Sequence, residues 1–244
     1  MAESTMDVVV ILSTLVYLVM IVVLRNLIAQ STNYYLYITF GSIGIVLHES
    51  AHLLTAMLFR HKIVDFQPFK PNQMDHTLGY VIHSYRPSWF SPIANSVIGI
   101  APLFAGIGGV YLVTAHLRPD VASYFLEGIT LNGDISLVLI NLTAICEVIL
   151  ISPYNGYLTA LWLFLSYSIL IHCVPSKADF SQSMIGLVML VFGMAAIAWL
   201  YSEVLNVIQL WLLVINNVFG LVTLALIVIL TITKIAEIFC KLFR

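Results

Sequence analysis

The chain has 244 residues, of which 61% are hydrophobic and 9% charged, and its formal net charge at pH 7 is −2. Soluble domains carry roughly 25% charged residues, because a water-facing surface needs polar cover, so this composition excludes an ordinary soluble fold. The balanced charge, with no basic tract, also excludes nucleic acid as a partner.

A helix crosses a hydrocarbon core about 30 Å thick with about 20 apolar residues. Apolar segments fall at 8–27, 35–59, 93–117, 135–151, 157–174, 184–200 and 207–232. They predict an all-α polytopic membrane protein with about seven (six to eight) transmembrane helices. Such a chain is integral to the lipid bilayer, multi-pass, and expected in the cell membrane. It reads as a single transmembrane domain over 1–244. Glu3 and Asp7 precede the first segment, where a secretory leader would be positive, so that segment reads as a retained helix. Cys146, Cys173 and Cys240 are isolated in apolar stretches and read as small hydrophobes.

Between the second and third segments, 60–92 is polar and holds Pro68, Pro71, Pro87 and Pro92, which oppose a long helix. Alternating residues at 63–67 and 80–85, with Thr77-Leu78-Gly79 near a turn, predict a small β-ribbon at the membrane surface. His61, Asp65, Asp75, His76 and His83 in this stretch read as solvated and not as a second metal site.

The second segment carries His48-Glu49-Ser50-Ala51-His52. Residues four apart share a helix face, so both imidazoles can reach one ion, with Glu49 placed as general base and not as ligand. That is the zinc metalloprotease pattern, which needs a third ligand from elsewhere. Ionisable groups inside an apolar helix cost about 2.5–3.5 kcal/mol each and usually mark function.

A His-Glu-x-x-His motif in a membrane helix, followed by a polar strand-like segment, resembles the site-2 protease family of intramembrane zinc metalloproteases. The resemblance spans 35–200. It implies Zn²⁺ as cofactor, a membrane-embedded protein as substrate, and a third ligand from an Asp at the start of a later helix, after an Asn-x-x-Pro stretch. Here His172-Cys173-Val174-Pro175-Ser176-Lys177-Ala178-Asp179 offers Asp179 for that ligand. His172 stands where the family has Asn, the Asp follows Pro175 one residue early, and Phe180-Ser181 replaces the usual glycines. These departures describe a distant or divergent member. Ser152-Pro153-Tyr154-Asn155-Gly156 is a rival, with Asn a poorer zinc ligand than a carboxylate. One crossing separates the family's two ligand helices. Three predicted crossings precede Asp179 and two precede Asn155, so this odd spacing also favours Asp179.

His172 itself is an alternative ligand, a substrate-binding group, or a polar residue at a helix end facing water. Glu147, with Asn141 six residues before it, reads as a partner for a ligand imidazole or a structural residue hydrogen-bonded between helices, ahead of a further metal ligand. The small residues around Ala101-Pro102, preceded by Asn95, resemble another helix of the same family and favour close packing. The function expected is therefore zinc-dependent intramembrane endopeptidase. The alternatives are a membrane transporter with an ion path through the buried His and Glu, or a membrane zinc hydrolase acting on lipid.

Overall fold

The computed structural model describes residues 2–74, 77–123, 147–148, 156–200 and 202–242. In chain order these form α1 (Ala2–Ser31), α2 (Tyr34–Leu58), β1 (Lys62–Gln67), β2 (Tyr80–Ser84), α3 (Ser91–Leu117), α4 (Gly156–His172), α5 (Lys177–Leu200) and α6 (Ser202–Leu242). They fall into two compact units. The first comprises Met1–Tyr34, Tyr111–Phe164 and Ser202–Arg244, and the second Tyr35–Val110 and Leu165–Tyr201.

Among the described residues three helices are long and apolar enough to cross a membrane: Val10–Ser31, Ser91–Leu117 and Val207–Ile235. Counting the bent pair Gly156–His172 and Lys177–Met194 as one span, with 63° between its limbs, makes four. That is fewer than the expected seven, for two physical reasons. Segment 35–59 is helical, but its own ionisable residues dilute its apolarity. Segments 157–174 and 184–200 are limbs of the bent pair. Segment 135–151 lies outside the described residues except at 147–148. Seven crossings are thus not available to set the odd spacing before Asp179, whose place rests on contacts instead.

In the first unit α1 runs against α6. Ser13 and Thr14 donate hydroxyl hydrogen bonds to Asn216 Oδ1 at 2.7 and 3.1 Å, and Gly220 lets the Tyr17 ring lie close. Leu12, Leu15 and Val19 stand exposed on α1, an outer surface that suits lipid and not water. Where α3 ends, the fully buried Arg118 donates to both carboxylate oxygens of Asp120 and, at 2.9 Å, to Thr159. Its guanidinium also lies 5.8 Å from the Trp162 ring centre.

In the second unit α2 closes with a Schellman motif. The amide of His61 donates to the Ala56 carbonyl and that of Arg60 to Met57, both at 2.9 Å. The expected ribbon is present, antiparallel, with register Ile63↔His83 and Asp65↔Ile82, so Val64 is an extra residue that bulges the first strand. The Asn72↔Thr77 bridge closes the ribbon, so Thr77-Leu78-Gly79 lie next to its turn, as expected, and lead toward β2.

Candidate metal centre

His48 and His52 stand one turn apart on α2, with their Nε2 atoms 3.1 Å from each other. The second nitrogen of each ring is already engaged. His48 Nδ1 donates to the His172 carbonyl at 2.6 Å, and His52 Nδ1 to the Ile98 carbonyl at 2.8 Å. A carbonyl only accepts, so each Nδ1 carries a proton, and in the neutral ring Nε2 then presents a lone pair.

Prolines free both carbonyls. In a continuous helix the Ile98 carbonyl would take the amide hydrogen of residue 102, but that residue is Pro102, inside α3, and it has no N–H to give. His172 is the last residue of α4, where carbonyls lack intrahelical partners. Pro175 prevents the helix from continuing, and the next amide, at Ser176, turns to Asp179.

Asp179 lies in the first turn of α5. The Ser176 amide and hydroxyl both donate to its Oδ2 at 2.7 Å, and the Asp179 amide returns a bond to Ser176 Oγ at 3.2 Å. This is a reciprocal capping box, and it fixes the carboxylate facing the imidazoles. Oδ2 lies 3.6 Å from His48 Nε2 and Oδ1 3.4 Å from His52 Nε2.

Three acceptor groups thus meet with their ligand atoms within 4.8 Å of one another. Zinc–nitrogen bonds of about 2.0–2.1 Å at tetrahedral angles would separate ligand atoms by about 3.3 Å, close to what is seen. Lone pairs aimed at one another this way repel unless a cation lies among them. The group could hold a metal ion, and among the described residues no other cluster of three such side chains does so.

Close helix approach brings these groups together. The Gly44 amide donates to Ser168 Oγ at 3.1 Å, and a Cβ on Gly44 would strike the Ser168 carbonyl. A Cβ on Gly99 would come within 2.8 Å of the Asp179 carbonyl and collide with Ser183, whose own carbonyl accepts from Ser96 Oγ at 2.6 Å. Small residues therefore set where α2 meets α4 and where α3 meets α5.

Glu49 is near enough to His48, His52 and Asp179 to interact electrostatically, but it is not one of the converging ligands. A Cβ on Gly79 would lie 2.8 Å from Glu49 Cγ, so the ribbon lies beside the carboxylate just before β2. His172 enters through its carbonyl. Its ring is buried, against Gly41 and 4.7 Å from the Tyr37 ring centre. Glu147 is exposed, and backbone carbonyls hold the Nδ1 atoms of both imidazoles. Asn141 and Asn155 lie outside the described residues.

On the ribbon, His61 and His83 meet through Nδ1 atoms 3.1 Å apart, and His61 stacks on Tyr85. Burial lowers the pKa of His61, and burial together with the facing His61 lowers that of His83. Asp65 accepts from the Tyr80 hydroxyl at 2.7 Å, while Asp75 and His76 lie outside the described residues.

Sequence reading missed Ile98 and Ser176. The Ser-x-x-Asp spacing at 176–179 is a signal that could have found Ser176, and Pro102 marks the Ile98 carbonyl four residues before it. No protein-family model matches this chain, and neither the curated proteins nor the solved structures contain a significant match.

Proposed function

We propose that this chain is a multi-pass zinc endopeptidase of the cell membrane, cutting a peptide bond in or near a transmembrane segment of a substrate protein. We further propose that it is a distant member of the site-2 protease family. The reading is carried by the convergence of His48 Nε2, His52 Nε2 and the Asp179 carboxylate, with the two nitrogens 3.1 Å apart and each within 3.6 Å of one carboxylate oxygen. Two imidazoles and one carboxylate are a donor set of catalytic zinc sites, which leave a fourth position open. Zinc, when bound, supplies a Lewis acid and lowers the pKa of coordinated water to about 7.

The chain's own residues supply the rest. His48 and His52 are held as neutral Nδ1–H rings by the His172 and Ile98 carbonyls. Glu49 takes the proton of the water that attacks the scissile carbonyl carbon. It passes that proton to the amide nitrogen as the C–N bond breaks, so the products are a carboxylate and an amine. A helical substrate must unwind before attack, and the ribbon beside Glu49 offers strand edges to receive the extended segment.

Two measurements test this reading. Elemental analysis of the purified protein is expected to find about one zinc per chain, lost in His48→Ala. Glu49→Gln is expected to keep the zinc and abolish cleavage of a reporter transmembrane peptide. Absence of zinc, with His48→Ala indistinguishable from the parent, would replace the protease with an ion-path protein. Zinc-dependent cleavage of a lipid ester but not of the peptide would make it a lipid hydrolase.

A further inference from the structure

A second polar feature of the metal-bearing unit has no part in metal binding. Where α2 ends, β2 leaves the ribbon and α3 begins, a cleft of about 500 Å³ is lined by Arg60, Lys62 and Arg86, together with Ser84 and Ser88. Among the described residues no carboxylate lines it. Among the described residues none of the three cations makes an ion pair, and the nearby ribbon carboxylate of Asp65 is engaged by Tyr80. Three like charges gathered around one cavity repel each other, and an anion in the cavity relieves that repulsion.

Arg60 adds a second, independent observation. Its φ is 59°, the left-handed conformation at the C′ position of the α2 Schellman motif, where glycine is free of strain. The chain keeps a strained arginine there, and that arginine lines the cleft.

The surroundings say which anion. Ser91 and Ala94 also line the cleft, and they belong to the first turn of the apolar helix Ser91–Leu117, so the cations stand at the end of a helix long and apolar enough to cross a membrane. Trp89 is 80% exposed and Phe90 41% exposed immediately before that span. Exposed aromatics at such a position sit among lipid headgroups and carbonyls. Basic pockets beside membrane helices bind anionic headgroups.

We propose that this cleft binds the phosphate of an anionic phospholipid, with Arg60, Lys62 and Arg86 as the recognising cations. The proposal does not depend on the metal centre. The test uses the full chain in detergent and native mass spectrometry, with dioleoylphosphatidylglycerol offered against dioleoylphosphatidylcholine at equal mole fraction. Wild type is expected to retain phosphatidylglycerol preferentially, and Arg60→Gly, Lys62→Ala and Arg86→Ala each to weaken that retention about fivefold. Arg60→Gly should melt no lower than wild type, because glycine accepts the left-handed conformation; weakened lipid binding in that variant therefore cannot come from misfolding. Lys70→Ala, on the ribbon but outside the cleft, should bind as wild type does. Equal retention of the two lipids by wild type, or unchanged retention in Arg60→Gly and Lys62→Ala, would overturn the site. Displacement of the lipid by millimolar inorganic phosphate would overturn the lipid assignment in favour of a soluble phosphate.

Discussion

Both compact units bury polar groups among apolar helices, yet they balance them in opposite ways. Around Arg118 the guanidinium donors meet acceptors on Asp120, Thr159 and the Val148 carbonyl, and Asn216 Oδ1 receives two hydroxyl donors. Those clusters close on themselves. Around His48, His52 and Asp179 the donors point outward, to the Ile98 and His172 carbonyls, and the acceptors point inward at one another. A closed cluster holds helices together, whereas an excess of converging acceptors calls for a cation. Donor–acceptor balance thus distinguishes a polar cluster that closes on itself from one that could hold a cation, even though both are buried in apolar surroundings.

Substitutions at the two clusters should break this contrast most sharply. Asp179→Ala is expected to reduce bound zinc from about one per chain to background while the protein stays folded, as read by elemental analysis beside a melting curve. Arg118→Met should do the reverse. Zinc stays, and stability falls by about 3 kcal/mol, because Asp120 and Thr159 lose their partner; equal melting of variant and parent would remove Arg118 as a structural pin.

Pro102→Ala sharpens the comparison from within the unit that holds His48, His52 and Asp179. It restores an amide that competes for the Ile98 carbonyl, so zinc affinity should drop by about 10–100-fold, the usual effect of losing a ligand's supporting bond. Helix α3 should gain stability, since proline in a helix interior is unfavourable. Weaker metal binding in a more stable protein is an outcome that general damage cannot produce.

The smallest expected effect lies on the ribbon. His61 and His83 have folded-state pKa values below the ordinary 6.5, so between those values and 6.5 the unfolded chain holds more protons. Stability of the ribbon therefore rises with pH across that window and is lost as pH falls below about 6.5. Amide hydrogen exchange in Lys62–Gln67 and Tyr80–Ser84, corrected for its intrinsic rate, should be faster at about pH 5.5 than at about 7.5. His83→Gln should flatten that difference.

Local patterns made much of this molecule legible in advance. Long apolar runs specified helices, two-residue alternation specified the ribbon, and the four-residue spacing of His48 and His52 specified a shared face, because each depends only on backbone periodicity. Among the described residues fewer clear spans stand than the apolar runs suggest, for the same reason. Apolar length does not register a 63° bend between α4 and α5, nor the apolarity that α2 gives up to its own ionisable residues.

What the sequence by itself determined, then, is a helical chain suited to a membrane, with two imidazoles on one helix face and an acid beside them. Only the tertiary structure decided that Asp179 faces those imidazoles, that the Ile98 and His172 carbonyls orient them, and that Arg60, Lys62 and Arg86 share one cleft. The reason is range. These groups are brought together by close helix approach at Gly44 and Gly99 and by the folding back of the ribbon, and such long-range packing leaves no period in the sequence.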